Sequence, residues 1–381
     1  MPKTELLARG QGSVSRVKAQ AVAIKGMLFS PLPPPVGGVA SITAMLHREL
    51  GGNPEVLFLQ PLRKTTSWTR VVRPLVNIVR LIRGTVRVQA GGRVVFFCSS
   101  RSSFWEKCVW AAFVLVLGRS AVMVMVAGDF PVAFAEAPRP ARAAAHWLFR
   151  RRRLVVAAQS KSWAAVYRGI FREANMMEVG ATVDAEFFLE RKATAAPVVN
   201  ILYVGWIVES KGVVDLLDAL GSVKTALDAR ARLKLVGPLF GRDSFWRTEI
   251  DKRGLGSIVE VTGAVTTRTG IREYYQKADV FVFPSHFEGF PVALLEATAA
   301  GLACVATDVG GIADILDGGR AGLLIPPHAP CELAAALVSV VDDAALRARL
   351  GEAASRHTRR RFSREAFVNS YECVLGVRQP C

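Results

Sequence analysis

Two glutamates, Glu288 and Glu296, stand either side of seven residues in E-GFPVALL-E, and they are the acidic pair best placed for chemistry in this chain. They lie in Asp279–Gly311, DVFVFPSHFEGFPVALLEATAAGLACVATDVGG, which reads as strand, loop, helix, strand and a Gly-Gly turn. The loop Pro284–Phe290 then falls at the carboxyl end of a buried strand, Val280–Phe283, where open α/β sheets bind their ligands. Pro291 suits the first helical position, so the backbone from Gly289 through Val292 has N–H groups free to meet an anion or sugar hydroxyls. Glu288 sits in the loop and Glu296 within the first two helical turns, so the two carboxylates approach one crevice at different depths.

Four shorter features accompany this block. In VGWIVESKG, Val204–Gly212, a strand end leads into a helix bearing Val213, Leu216, Leu217 and Leu220, and Lys211 stands where it could hold a diphosphate. Gly37 and Gly38, after the first strand and the Pro-rich run Pro31–Pro35, let main chain approach a phosphate or sugar closely. Val126–Phe130 ends another strand and offers Asp129 as the acceptor-side candidate. In TDVGGI, Thr307–Ile312, Gly310 and Gly311 allow a close fold of main chain against a ligand. No His, Cys or Asp cluster has metal-ligand spacing, and His47, His328 and His357 read as peripheral, so no metal site is expected.

The block around Glu288 and Glu296 resembles the EX7E motif of retaining GT-B glycosyltransferases, and the chain from about Met27 to Arg361 is similar to glycosyltransferase family 4. The resemblance implies a nucleotide-sugar donor as substrate, with no other cofactor. Glu288 would contact the donor sugar near its reacting carbon, and Glu296 the nucleotide ribose. Lys211 would stabilise charge on the departing diphosphate, and Gly205, Trp206, Ser285, Gly289, Phe290, Pro291, Val292, Gly310 and Gly311 would line the donor site. The Gly37–Gly38 loop would cover the donor from the first domain. Two departures stand out: Trp206 occupies the position where the family usually has arginine, leaving Lys211, backbone amides and a residue such as Arg242 to hold phosphate. No histidine shortly precedes Gly128.

The elements that must position these residues come in two sets. Short β-branched or aromatic runs at Ala21–Phe29, Glu55–Gln60, Arg93–Cys98, Ala121–Val126 and Leu154–Ala158 alternate with helical stretches. A second set follows at Val198–Val204, Arg232–Val236, Ile258–Thr262, Val280–Phe283, Ala303–Ala306 and Gly322–Ile325. The expected fold is α/β, GT-B: two Rossmann-like domains facing across a cleft. Residues 1–185 form the acceptor-side domain, with 1–20 flexible, 186–362 the donor-nucleotide domain, and 363–381 a C-terminal helix crossing back to the first.

Charge divides the same way. Residues 1–185 carry 26 Lys and Arg against 9 Asp and Glu, whereas the remainder carries 23 of each sign. An excess confined to one half points to an anionic partner there. In 68–87, Arg70, Arg73, Arg80 and Arg87 lie near one helical stripe and Trp68, Val72, Leu75, Val79 and Ile82 along another, with regular helix expected only from Pro74. Residues 109–126 are apolar enough to resemble a membrane span, but Gly118-Arg119-Ser120 divides them into a buried helix and a buried strand. Six scattered cysteines, expected to be mostly buried, and no recognisable signal peptide suit a reducing cytoplasm, with the chain peripheral on the inner membrane face.

These features together support a retaining, metal-independent hexosyltransferase acting on a glycan or polyprenyl-diphosphate-linked acceptor in bacterial envelope or exopolysaccharide synthesis. Its partners are expected to include an anionic membrane surface and no nucleic acid. A non-catalytic GT-B-like partner protein and a nucleotide-sugar epimerase are the alternatives. Retention of both glutamates and Lys211 argues against the first, and the one-sided charge against the second.

Overall fold

Runs rich in Val, Ile, Leu and Phe form strands that are covered on both faces, as parallel sheets require. The computed structural model describes residues 23–30, 38–61, 67–98, 101–126, 128–190, 198–241 and 243–379. The tail 1–20, Pro31–Pro35, Gly37 and Arg242 lie outside them, as do the side chains of Trp68 and Arg70. Six strands belong to the first half: β1 Ile24–Phe29, β2 Val56–Leu59, β3 Val88–Cys98, β4 Ser120–Met125, β5 Leu154–Ala158 and β6 Asn175–Glu178. Six belong to the second: β7 Val199–Val204, β8 Ala231–Val236, β9 Val259–Gly263, β10 Val280–Phe283, β11 Ala303–Thr307 and β12 Leu323–Ile325.

They pair into two parallel sheets, ordered β2-β1-β3-β4-β5-β6 and β12-β11-β10-β7-β8-β9. The direction of winding reverses beside β1 in one sheet and beside β7 in the other. A crevice therefore opens at the carboxyl ends of β1 and β3, and another at those of β7 and β10. Every residue of β10 and β11 is buried, which fixes the loops that leave them.

The C-terminal helix Arg364–Leu375 starts at Ser363, whose hydroxyl accepts from the Ala366 N–H at 3.1 Å. It buries Phe367, Tyr371, Val374 and Leu375 against Leu28, Val95 and Phe97 of the first sheet. Arg93 Nη1 donates to the Cys373 carbonyl at 2.6 Å, so the last helix crosses back to the first domain.

Three local expectations need correction, and the cysteines follow theirs. β6 escaped the pattern because NMME has no β-branched residue and its central methionines are only half-buried at a sheet edge. The helix around Pro74 begins at Ser67 and so holds the proline in its interior, where the i→i−4 hydrogen bond is lost although proline's own φ is helical. The helix Arg101–Val116 is not buried throughout: it leaves Val109, Phe113 and Val116 exposed while Phe104, Trp110 and Val114 face the core. Cys98, Cys108 and Cys304 are buried as expected, whereas Cys331 is exposed.

Candidate active site

The crevice between β7 and β10 gathers residues far apart in the chain. After β7 the chain passes Gly205 and Trp206, makes a single 3-10 turn at Glu209–Lys211, and enters the helix Val213–Ser222. After β10 it runs through Ser285–Phe290 into the helix Val292–Ala299. The two segments are stitched together where the His286 N–H donates to the Ser210 carbonyl at 3.1 Å. That placement brings Lys211 Nζ to 2.5 Å from Glu288 Oε1, both side chains mostly shielded from solvent. An ammonium and a carboxylate so held at strand ends can orient a polar ligand and share their charges with it.

Glu288 and Gly289 also meet the first domain. Gly128 follows β4 and packs face on against them; a Cβ there would overlap the Glu288 carbonyl group. Gly310, at φ +59°, closes on the same carbonyl from the turn after β11, so a side chain would be excluded by both space and backbone conformation. The Gly289 carbonyl accepts from Trp163 Nε1 at 2.6 Å and from the Gly311 N–H at 3.0 Å. Beside it, the Ser162 N–H donates to Asp314 Oδ2 at 3.1 Å. The motif loop is thus a junction of both domains.

Glu296 is placed differently. It lies on the helix after Pro291, half-buried, and accepts from the Tyr275 hydroxyl at 3.0 Å. Burial pushes its carboxyl up to about 7, opposed by the Tyr275 hydrogen bond and the Arg268 charge and reinforced by Asp184 and Glu186. The two glutamates therefore have separate partners: Lys211 for the first, Tyr275 for the second.

The other candidate residues divide. Pro291 is the cap of the helix rather than its first residue, with ψ 112°, so the free amides begin with Val292 inside the helix. The buried Ser285 hydroxyl donates to the Phe287 carbonyl at 3.2 Å and so serves its own turn. Phe290 packs edge-on against Phe362 at 5.6 Å, and Val292 is exposed. Trp206 is 57% exposed and packs against Phe240 with the rings tilted, 4.8 Å between centres, its carbonyl held by the Tyr203 hydroxyl at 2.8 Å. Gly38 opens the helix Gly38–Leu50 of the first domain. Asp129 is exposed at the cap of the short helix Phe130–Ala135, across from Glu288 by way of Gly128.

Sequence reasoning missed Trp163 and Tyr275. The only local sign of the first is Ser160 capping the helix Lys161–Ile170 after β5; the second sits in YYQKADV with no sign of its partner. Two histidines read as peripheral have partners: exposed His328 lies tilted against His286, 3.7 Å between ring centres, and His357 hydrogen-bonds the Asp314 carbonyl at 3.0 Å.

Known proteins resemble this chain in sequence and in fold. A D-inositol 3-phosphate glycosyltransferase of Paenarthrobacter aurescens is 33% identical over 160 residues, 42% of this chain and 39% of that protein. A glycogen synthase of Mycobacterium tuberculosis is 30% identical over 200 residues, 51% and 47% of the two chains. The chain thus matches about two-fifths to one half of the length of these relatives. Among solved structures, Anabaena Alr3699/HepE in complex with UDP superposes with a TM-score of 0.71 at 16% identity, covering 93% of this chain and all of that one. A sucrose-phosphate synthase from Thermosynechococcus elongatus gives 0.69 at 17% identity, covering 92% and 99%. These likenesses establish the two-sheet GT-B architecture. Residues 187–357, the stretch that carries Lys211, Glu288 and Glu296, match the family described as glycosyl transferases group 1.

Proposed function

We propose that this chain is a retaining glycosyltransferase that moves a sugar from a nucleotide-sugar donor to a glycan or polyprenyl-diphosphate-linked acceptor. The observation that carries the reading is the Lys211–Glu288 pair, 2.5 Å apart at the β7/β10 switch point inside the family-matched residues. A diphosphate docking there would take the ammonium from Glu288, and the freed carboxylate would turn to the sugar. Charge growing on the leaving diphosphate would be met by Lys211 and nearby backbone N–H groups, in a site that needs no divalent ion for the chemistry. Neither glutamate is placed as an obvious nucleophile, which favours a front-face course in which the leaving diphosphate accepts the acceptor's proton. Glu296 would hold the ribose, with Tyr275 fixing its rotamer. Trp206, on Phe240, would give the donor an aromatic wall where an arginine is usual.

The acceptor would enter from the basic first domain, beside Asp129. The helix Ser67–Arg87 buries Asn77, Leu81, Gly84 and Thr85, and leaves Val72, Leu75, Val79 and Val86 on the solvent side next to Arg80, Arg83 and Arg87. An apolar stripe flanked by arginines suits docking at an anionic membrane surface on the cytoplasmic side, where lipid-linked acceptors of envelope or exopolysaccharide synthesis reside. Among the described residues, no helix is long and apolar enough to cross a membrane.

The test is a screen of nucleotide sugars for hydrolysis and transfer, followed by NMR of the product linkage formed in excess EDTA and mass spectrometry of the enzyme during turnover. A retained anomer with no glycosyl adduct is expected. Inversion, a trapped adduct, or a loss of activity in EDTA that Mg2+ restores and Zn2+ does not would overturn the proposed course.

A further inference from the structure

Asp215, His286 and His328 come from three segments: the helix Val213–Ser222, the loop after β10 and the turn after β12. Separations of 71 and 42 residues hide them from any motif. In the fold their ligand atoms all lie within 4.8 Å of one another. Asp215 Oδ2 stands 2.9 Å from His286 Nε2, and the two imidazole rings lie 3.7 Å apart between centres. Ligands to zinc sit about 2.0–2.2 Å from the ion, so two ligands of one ion stand about 2.9–3.5 Å apart. The Asp215–His286 pair already has that spacing, and exposed His328 can complete the set by rotating its ring.

The surroundings support a ligand set rather than a chance meeting. Asp215 and His286 are half-buried, and the His286 backbone is pinned to Ser210. His328 holds φ +57°, a left-handed conformation in which glycine costs least, yet an imidazole is presented there. Two imidazoles and one carboxylate favour borderline ions over Mg2+ or Ca2+, which prefer oxygen, and three protein ligands leave a position for water.

We propose that Asp215, His286 and His328 bind a first-row divalent transition ion of the Zn2+, Co2+ or Ni2+ class. The ion ties the Val213 helix to the loops after β10 and β12. It braces the two segments that carry Lys211 and Glu288, with neither of those groups as a ligand.

The test is calorimetric titration of the full chain with Zn2+ and with Co2+, in a Cys331→Ser background that removes an exposed competing thiol. One saturable site per chain is expected, with Co2+ giving visible d–d bands and no thiolate charge-transfer band. His328→Gly suits the left-handed backbone while deleting the ligand, and Asp215→Asn deletes the charge; each should weaken affinity at least tenfold. Zn2+ should raise the Tm of the parent more than that of His328→Gly at the same concentration. No saturable uptake, a thiolate spectrum, or unchanged affinity in either variant would overturn the site. The readouts need no sugar donor, so their outcome is separate from that of the transferase reading.

Discussion

The two halves of the chain are built on the same parallel layers, but they treat their covering helices in opposite ways. In the second half the helix Val213–Ser222 buries Val213, Leu216, Leu217, Ala219 and Leu220 completely, and the charges of that half cancel. In the first half the helix Ser67–Arg87 leaves Leu75 67% exposed, and the neighbouring helix Arg101–Val116 leaves Val116 85% exposed, within a strongly basic domain. Apolar side chains in the second half form the buried floor beneath the candidate site. In the other half part of the apolar surface faces outward among arginines, where a partner rather than the core can cover it.

The comparison breaks first at the site itself. Lys211→Ala is expected to lower kcat about 100- to 1,000-fold, the scale seen when one donor to a developing anion is lost, with KM for the donor moving much less. Steady-state kinetics with the nucleotide sugar found in the screen check this, and wild-type kcat would sink the assignment of Lys211.

Next comes the contrast in burial. Leu216→Ala should cost about 2–5 kcal/mol in urea unfolding because its cavity cannot collapse. Leu75→Ala should stay within about 0.5 kcal/mol of the parent. Equal losses would mean that the outward helix face is packed after all.

Glu296 sharpens the picture through pH. Burial pushes its carboxyl up to about 7 from an ordinary 4.5, so the folded chain keeps a proton that the unfolded chain has released. The folded state binds more protons between about pH 4.5 and 7; stability from this group is full below that window and lost as pH rises through it. Glu296→Gln should flatten the slope and raise stability at pH 8 by about 1–3 kcal/mol. A Tm profile parallel to the parent's across pH 4.5–8 would contradict it.

The smallest effect concerns the outward stripe. Arg80→Glu with Arg83→Glu should weaken binding to anionic vesicles by roughly fivefold or more per site, since each arginine near such a surface contributes about 1 kcal/mol. Binding should fall with salt and be absent on neutral vesicles. Equal sedimentation with both lipids would remove the electrostatic account.

Local pattern made much of this molecule legible. Among the described residues, eleven of the twelve strands announce themselves as short runs of β-branched, aromatic or aliphatic residues, because a strand covered on both faces needs apolar side chains at nearly every position. The loop that carries Glu288 was readable for the same reason: a buried strand followed by Gly, Pro and a helix puts its loop at a carboxyl edge. Asn175–Glu178 was not readable, since an edge strand needs little burial.

What the sequence alone determined is therefore the elements, the two-set alternation and the positions of Glu288, Glu296 and Lys211 at strand ends. The tertiary structure decided who meets whom: Lys211 with Glu288 across 77 residues, Trp163 with Gly289 across 126, Tyr275 with Glu296, and Asp215 with His286 and His328. Periodicity reports only which face of an element is buried. Pairings like these arise because the order of strands in the sheet sets β7 beside β10, and because the first domain closes over their ends.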